Sequence, residues 1–166
     1  MPRVLAFDPG YRNLGIAVAE PGRLIHAETL LVGSPKAPLK WGARILDHLD
    51  ELRIQYGPFD AVVFETPPMI PKNVKTSALL WHVMGAVTAW SATNGYPVWD
   101  IMPQKLKRHC CRVLGMPWNP KSQPSKTVVK QAVLAAYHTD ESSRPRDDHA
   151  DDAALAADAW FAKNAG

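Results

Sequence analysis

Short apolar runs alternate with turn residues in the first part of the chain. Residues 4–7, Val-Leu-Ala-Phe, form a continuous apolar run, which predicts a strand buried on both faces. A turn at residues 8–10 separates it from a second predicted strand at 14–19, and a turn at 21–22 precedes a third at 23–32. Because both turns are short, the three strands are expected to form an antiparallel meander.

Helical and strand patterns then alternate. Ile45, Leu49, Leu52 and Tyr56 recur at helical spacing, which predicts a helix over residues 39–56. Further strands are predicted at 61–65 and 97–102, and further helices at 75–93, from Pro103, at 125–138 and from Asp147 or Asp148 to Ala162. The tryptophans are expected to lie mostly in the core or at an interface, with Trp81 and Trp90 packing in the central helix. This order predicts an α/β fold, with a mixed five-stranded sheet and flanking helices in a single domain over 1–166.

Composition places the chain among globular proteins. Its 166 residues suffice for one domain with a sizeable core, and 46% hydrophobic with 21% charged residues is an ordinary balance. No apolar run reaches membrane-spanning length, and no basic segment precedes a long apolar stretch, so a cytoplasmic protein is expected. Cys110 and Cys111 are adjacent, which argues against a disulfide framework or a zinc site.

The net charge of +3 hides a strong asymmetry along the chain. Residues 72–130 hold nine Lys or Arg against one acid, Asp100, whereas residues 140–158 hold seven acids against two arginines. A basic stretch suits a phosphate backbone, and a local acidic cluster suits a cation. A solvated helical face is the alternative interpretation of the basic stretch.

Carboxylates stand at the ends of three apolar elements. Asp8 follows the apolar run at 4–7, Glu65 follows the one at 61–64, and an acidic cluster at 147–152 opens the last helix. Such carboxylates repel each other and lose hydration unless a cation compensates them. Divalent metals prefer oxygen ligands, so the chain is a candidate metal-dependent phosphoryl-transfer enzyme. Taken singly, Asp8 could be a turn former and His149 a surface residue.

Phosphodiester cleavage gives each of these residues an expected role. Two cations about 3.5–4 Å apart can activate water, neutralise phosphoryl charge and stabilise the leaving oxygen. Asp8 would bridge both ions, Glu65 would hold one and Asp152 the other. His149 would complete the ligand set or orient the water, since neutral imidazole is a usable ligand. Residues three apart share a helix face, so His149 and Asp152 can converge.

The register of this last cluster is open from spacing alone. Asp148 and Asp151 stand at the same three-residue spacing as His149 and Asp152. Adjacent helical residues differ by about 100° in direction, so only one of the two pairs can point fully into a site.

Three segments together resemble the RuvC family of Holliday junction resolvases, within the RNase H-like nucleases. Residues 7–15, Phe-Asp-Pro-Gly-Tyr-Arg-Asn-Leu-Gly, follow that family's first motif, Glu65 matches its second carboxylate, and residues 149–156 match its C-terminal motif. The resemblance favours His149 with Asp152, because a small residue directly follows the final Asp. It implies an RNase H-like fold and two Mg²⁺ ions per active site, with Mn²⁺ as a substitute.

The resemblance also implies DNA contacts and partners. Lys107 and Lys126 occupy places where the family has DNA-contacting lysines. Lys72, a basic residue directly after the loop at 66–71, is a further expected DNA contact. That loop lacks the family's aromatic wedge, so Met69, or else Ile70, would insert between bases. The expected substrate is four-way junction DNA, cut in recombination and repair by a homodimer whose twofold symmetry matches the junction. A branch-migration helicase complex is the expected further partner.

Three other functions remain open. The first is another RNase H-like nuclease, acting on RNA or on branched DNA. The second is an actin-like or sugar-kinase-like ATPase, whose strands also begin with an Asp-X-Gly phosphate turn; the chain lacks a second such motif and a second domain. The third is a catalytically silent junction-binding protein, against which the intact acidic set argues.

Overall fold

A mixed five-stranded sheet forms the centre of the protein. The computed structural model describes residues 1–10, 12–33, 39–67, 74–120, 124–138 and 147–164. The strands are β1 (Val4–Asp8), β2 (Asn13–Glu20), β3 (Arg23–Leu31), β4 (Ala61–Glu65) and β5 (Val98–Ile101), in the spatial order β3-β2-β1-β4-β5. The first three are antiparallel neighbours, whereas β4 runs parallel to β1 and β5 parallel to β4. The predicted fold class, including the meander, is therefore confirmed.

Helices cover both faces of this sheet. They are α1 (Leu39–Tyr56), α2 (Val74–Thr93), α3 (Pro103–Val113), α4 (Lys126–Tyr137) and α5 (Asp148–Asn164). One hydrophobic core lies between the sheet and α1 with α2, and a second lies between the sheet and α3, α4 and α5. No helix in the described ranges combines the length and apolar character needed to cross a membrane.

Side-chain size differs between the two faces of the sheet. Along β1, Leu5 and Phe7 enter the core beside α1 and α2, whereas Val4 and Ala6 enter the core beside α5. The α5 core is rich in alanine on both the strands and the helix, so α5 can lie close to the sheet. Strand residues alternate between faces, so Asp8, two residues after Ala6, belongs to the α5 face.

The observed element boundaries lie close to the predicted ones. α1 and β4 begin and end at the predicted residues, and Pro103 occupies the first turn of α3. β1 is one residue longer than predicted because Asp8 still pairs with Gly15 in the ladder. α5 continues two residues past the expected end, to Asn164.

The two tryptophans of α2 differ in environment. Trp90 is 5% exposed, and its indole N–H donates a hydrogen bond to Asp50 over 3.0 Å. Trp81 is 43% exposed, so it does not lie in the core, and of the two expected places only an interface suits it. Trp81 points away from Val83 and Val87, which pack in the core between α2 and the sheet.

Candidate active site

Two adjacent parallel strands bring the first two carboxylates together. In the ladder between β1 and β4, Phe7 pairs with Phe64, and the strands end one residue later, at Asp8 and Glu65. Asp8 and Glu65 each lie two residues beyond a side chain of the α5 core, Ala6 and Val63. Alternation along a strand therefore directs both carboxylates toward α5.

A glycine allows the start of α5 to approach this edge of the sheet. Gly15 lies opposite Asp8 in the β1–β2 ladder. A Cβ at Gly15 would stand 2.1 Å from the carbonyl oxygen of His149, far inside van der Waals contact. Gly10 has a similar role in the turn, since a Cβ there would stand 2.0 Å from the carbonyl oxygen of Asn13. Sequence reasoning placed both glycines in a motif but did not predict the contact with His149.

His149 connects the first turn of α5 to β1. Its Nδ1 lies 2.6 Å from Oδ2 of Asp8, at hydrogen-bond distance. That hydrogen bond raises the pKa of His149 above its usual range, although partial burial opposes the shift. The backbone N–H of His149 donates to the carboxylate of Asp147 over 2.8 Å, so Asp147 satisfies one of the free N–H groups at the start of the helix.

Burial and mutual repulsion together raise the pKa values of two carboxyl groups in the site. Burial, together with the charges of Asp8 and Asp152, raises the pKa of Glu65 to about 7, and Lys107 offsets part of that rise. Burial and the charge of Asp8 likewise raise the pKa of Asp152 to about 7, against the opposing effects of His149 and Lys126. A positive charge placed among these carboxylates would therefore stabilise the ionised form of all of them.

The rotation of α5 distinguishes the two possible registers. Asp152 interacts electrostatically with both strand-end carboxylates, and His149 bonds to Asp8. Asp151, by contrast, is buried at 3% exposure, and Asp148 forms an ion pair with Lys126 over 2.5 Å. The structure thus brings His149 and Asp152, the preferred pair, to the strand ends. No group of three or more His, Cys, Asp or Glu within the described ranges has the arrangement of a metal site.

The predicted DNA-binding residues have different outcomes. Lys107, on α3, is close enough to Glu65 to lower its pKa. Lys126, the first residue of α4, has a 76% exposed side chain that pairs with Asp148 beside the acidic end of α5. Both lysines therefore border the candidate site. Lys72 and Met69 lie outside the described residues.

Two proteins of known sequence align with this chain, one of them over nearly its full length. None of the protein-family models matches it. A crossover junction endodeoxyribonuclease RuvC from Carboxydothermus hydrogenoformans is 30% identical over 167 aligned residues, covering 99% of this chain and 98% of the relative. The RuvC of Myxococcus xanthus is 30% identical over 117 residues, covering 64% of this chain and 56% of that protein.

Solved structures agree on the fold. A Thermus thermophilus RuvC in complex with Holliday junction substrate superposes with a TM-score of 0.78 at 22% identity, covering 98% of this chain and 96% of that one. The yeast mitochondrial Holliday junction resolvase Ydc2 gives a TM-score of 0.62 at 19% identity, covering 99% of this chain and 79% of that one. With the near full-length similarity to the Carboxydothermus protein, these findings show that the chain belongs to the RuvC family of crossover junction endodeoxyribonucleases.

Proposed function

We propose that this protein is a metal-dependent endodeoxyribonuclease that resolves four-way DNA junctions by paired nicks, in homologous recombination and DNA repair. One observation carries the proposal: Asp8, Glu65, Asp152 and His149 converge at one edge of the sheet, in a chain of the RuvC family. A cluster of carboxylates beside basic residues suits a reaction in which a phosphodiester and a cation share one site.

The donor types at the strand ends suit divalent metal ions, although among the described residues they do not stand at metal-ligand spacing. Asp8, Glu65 and Asp152 offer the oxygen ligands that Mg²⁺ prefers, and His149 offers a ring nitrogen. Burial, and after it repulsion between the carboxylates, raises the pKa of Glu65 and Asp152 to about 7, and a divalent cation would offset both effects. We propose two Mg²⁺ ions, replaceable by Mn²⁺. When bound, such ions supply positive charge to the phosphoryl group and lower the pKa of a coordinated water.

The protein's own residues prepare the site for that chemistry. Asp8 holds the ring of His149 by its Nδ1, which fixes the ring's orientation at the sheet edge. Gly15 allows the backbone of His149 to lie against β2, so the first turn of α5 cannot move far from Asp8. Lys107 places a positive charge near Glu65, where a phosphate group would also be held.

DNA binding is proposed to follow the basic residues around this edge. Lys107 and Lys126 flank the carboxylates from α3 and α4, and both would contact backbone phosphates. Lys72 as a phosphate contact and Met69 as a wedge between bases stay predictions. Cytoplasmic localisation is proposed because the substrate is DNA, and association with a branch-migration helicase stays a prediction.

An exposed apolar face on α2 supports the proposed homodimer. Val74 is 71% exposed and Trp81 is 43% exposed. Gly85 is also exposed, and because it has no side chain, a second helix could approach closely there. Apolar surface of this kind is stabilised when it is covered. A C2 dimer would cover the same face on both copies and present two equivalent sites to a twofold junction.

Cleavage of a synthetic four-way junction tests the proposal. Wild-type protein should cut it with Mg²⁺ and with Mn²⁺, and cut linear duplex and RNA–DNA hybrid far more slowly. Asp8→Asn should lower the rate on the order of a hundredfold or more, because an amide keeps the size but removes the ligand charge. Junction binding should stay within about twofold of wild type, since the basic flanks are unchanged.

Asp47→Asn provides the matched control, because Asp47 is an exposed carboxylate on α1. It should cut at the wild-type rate. Retention of more than about a tenth of the rate by Asp8→Asn would contradict the role of Asp8 as a ligand. Preference for the RNA–DNA hybrid over the junction would favour the other RNase H-like nucleases.

A further inference from the structure

A surface pocket lies away from the carboxylates. Its volume is about 710 Å³, and it is enclosed by β5, α3, the segment that follows α3 and the C-terminal part of α5. None of the four proposed catalytic residues lines it. A cavity of this size accommodates a small organic ligand or a short stretch of a polymer.

Three tryptophans supply flat apolar walls. They come from three separate segments: Trp99, Trp118 and Trp160. Trp99 is 38% exposed on the edge strand, and the ammonium of Lys163 lies 5.0 Å from its ring centre. Trp160 packs edge-on against the buried ring of Phe161, at 5.5 Å between ring centres. Indole rings held in this way are strong stacking partners for aromatic ligands.

The charge of the pocket is strongly positive. Its lining includes four basic side chains against a single acid, Asp100: Lys105, Arg108, Arg112 and Lys163. The carboxylate of Asp100 accepts a hydrogen bond from the hydroxyl of Thr66 over 3.0 Å. Arg112 is held by His109 at 2.8 Å, and His109 in turn contacts Asp158 at 2.7 Å. An anionic ligand would therefore meet at least one cation that is already positioned.

We propose that this pocket binds one or two unpaired nucleotides of a DNA strand. Aromatic rings next to Lys and Arg form the usual surface for single-stranded nucleic acid, in which bases stack and phosphates are neutralised. An acidic protein segment would match the positive charge of the pocket, but most of its side chains have no flat ring that could stack on the three indoles.

The position of α3 supports DNA as the ligand. Lys107 on this helix acts on Glu65 in the candidate active site, whereas its neighbour Arg108 lines the pocket. Adjacent helical residues point about 100° apart, so one helix presents basic groups to both places. A strand leaving the carboxylate site could thus continue along α3 into the pocket. The choice of DNA as the ligand rests on the proposed function, whereas binding measured without divalent metal tests the pocket separately from cleavage.

Fluorescence anisotropy in EDTA, without divalent metal, tests the pocket. The probes are labelled octathymidylate and a labelled blunt duplex long enough to stay double-stranded, and each variant is compared with wild type on the same probe. Trp118→Ala should raise the Kd for octathymidylate by about 5- to 100-fold, the effect of one lost base stack, and change the duplex Kd less than about twofold. Arg108→Ala should reduce the salt dependence of octathymidylate binding by about 0.7 of a slope unit. Trp118→Phe should restore most of the affinity, because a ring still stacks.

Matched controls lie on α1, on the other face of the sheet. Ile54→Ala removes a 79% exposed apolar side chain, and Arg44→Ala removes an exposed guanidinium. Both should bind octathymidylate as wild type does. If Trp118→Ala unfolds, Trp99→Leu on the same probes replaces it and should show the same selective loss.

Four results would overturn the proposal. The first is an increase of less than about twofold in the Kd for octathymidylate in both tryptophan variants, since the loss of one base stack weakens binding by more than that. The second is an equal loss for octathymidylate and duplex, which would indicate a general phosphate surface. The third is that free thymidine monophosphate displaces the probe as effectively as the unlabelled oligonucleotide does, which would indicate a mononucleotide site. The fourth is tighter, Trp118-dependent binding of an octaglutamate peptide.

Discussion

Asp152→Asn should stabilise the metal-free protein while it abolishes cleavage. In the folded chain, burial and the charge of Asp8 raise the pKa of Asp152 from 3.8 to about 7. An acid whose pKa is raised by folding binds a proton more tightly in the folded state, so its ionised form destabilises that state. Removing the ionisable group removes this cost.

The magnitude follows from the size of the shift. About three pKa units correspond to about 4 kcal/mol as an upper limit, because each unit is worth about 1.4 kcal/mol. Glu65 titrates in the same range and shares the repulsion, and the new amide is itself partly buried, so we expect a gain of about 2 kcal/mol. The gain should be near zero at about pH 4, grow between about pH 4 and 7, and stay constant above that.

Urea denaturation in EDTA, followed by tryptophan fluorescence at several pH values, measures the effect. Asp47→Asn, on an exposed carboxylate of α1, is the control and should leave the free energy of unfolding unchanged within about 0.5 kcal/mol. Saturating Mg²⁺ should cancel or reverse the gain, because the ions stabilise only the wild-type site. A variant less stable than wild type at about pH 8, or a gain independent of pH, would refute the electrostatic reasoning.

Three further predictions concern the surroundings of the site. Lys107→Ala and Lys126→Ala should each lower the salt dependence of junction binding by about one slope unit. Plots of log affinity against log salt concentration that run parallel for variant and wild type would contradict a phosphate contact by these lysines. Gly15→Ala should lose about 2 kcal/mol or more in urea unfolding, since its Cβ would meet the carbonyl oxygen of His149 at 2.1 Å, whereas Gly42→Ala, with open space around it, should not destabilise. His149→Ala should slow junction cleavage less than Asp8→Asn does, because a neutral ligand offsets less metal charge; equal losses in single-turnover rates would contradict this.

Local sequence determined most of the fold. The apolar runs, the short turns and the helical spacing of Ile45 and Leu49 each predict an element that exists at nearly those residues. Trp81 was the exception. Its apolar character suited the core as well as an interface, but helical geometry directs it away from Val83, which packs in the core between α2 and the sheet. An apolar residue on a helix that faces another molecule looks, in sequence, like a core residue.

The candidate site could be predicted only in part. Asp8 and Glu65 were predicted from their positions at strand ends, because an ionised carboxylate at the end of a buried strand is energetically costly. Spacing alone left Asp152 and Asp151 equivalent, and their difference depends on how α5 is rotated over the sheet. The pocket beside β5 was not predictable, since its tryptophans come from segments far apart in sequence.

One contact explains why the rotation of α5 is so well defined. Helix rotation is usually set by side chains, which can repack, but here the backbone carbonyl of His149 lies where a Cβ of residue 15 would stand. Alanines at 150, 153 and 154 keep the next turns equally close to the sheet, so a rotation by one residue would bring larger groups against β2. Such a rotation would also move Asp151 toward Asp8 and bury Asp152. The small residues of β2 and α5 therefore select which carboxylate reaches the strand ends, and packing on this face determines the chemistry available at the site.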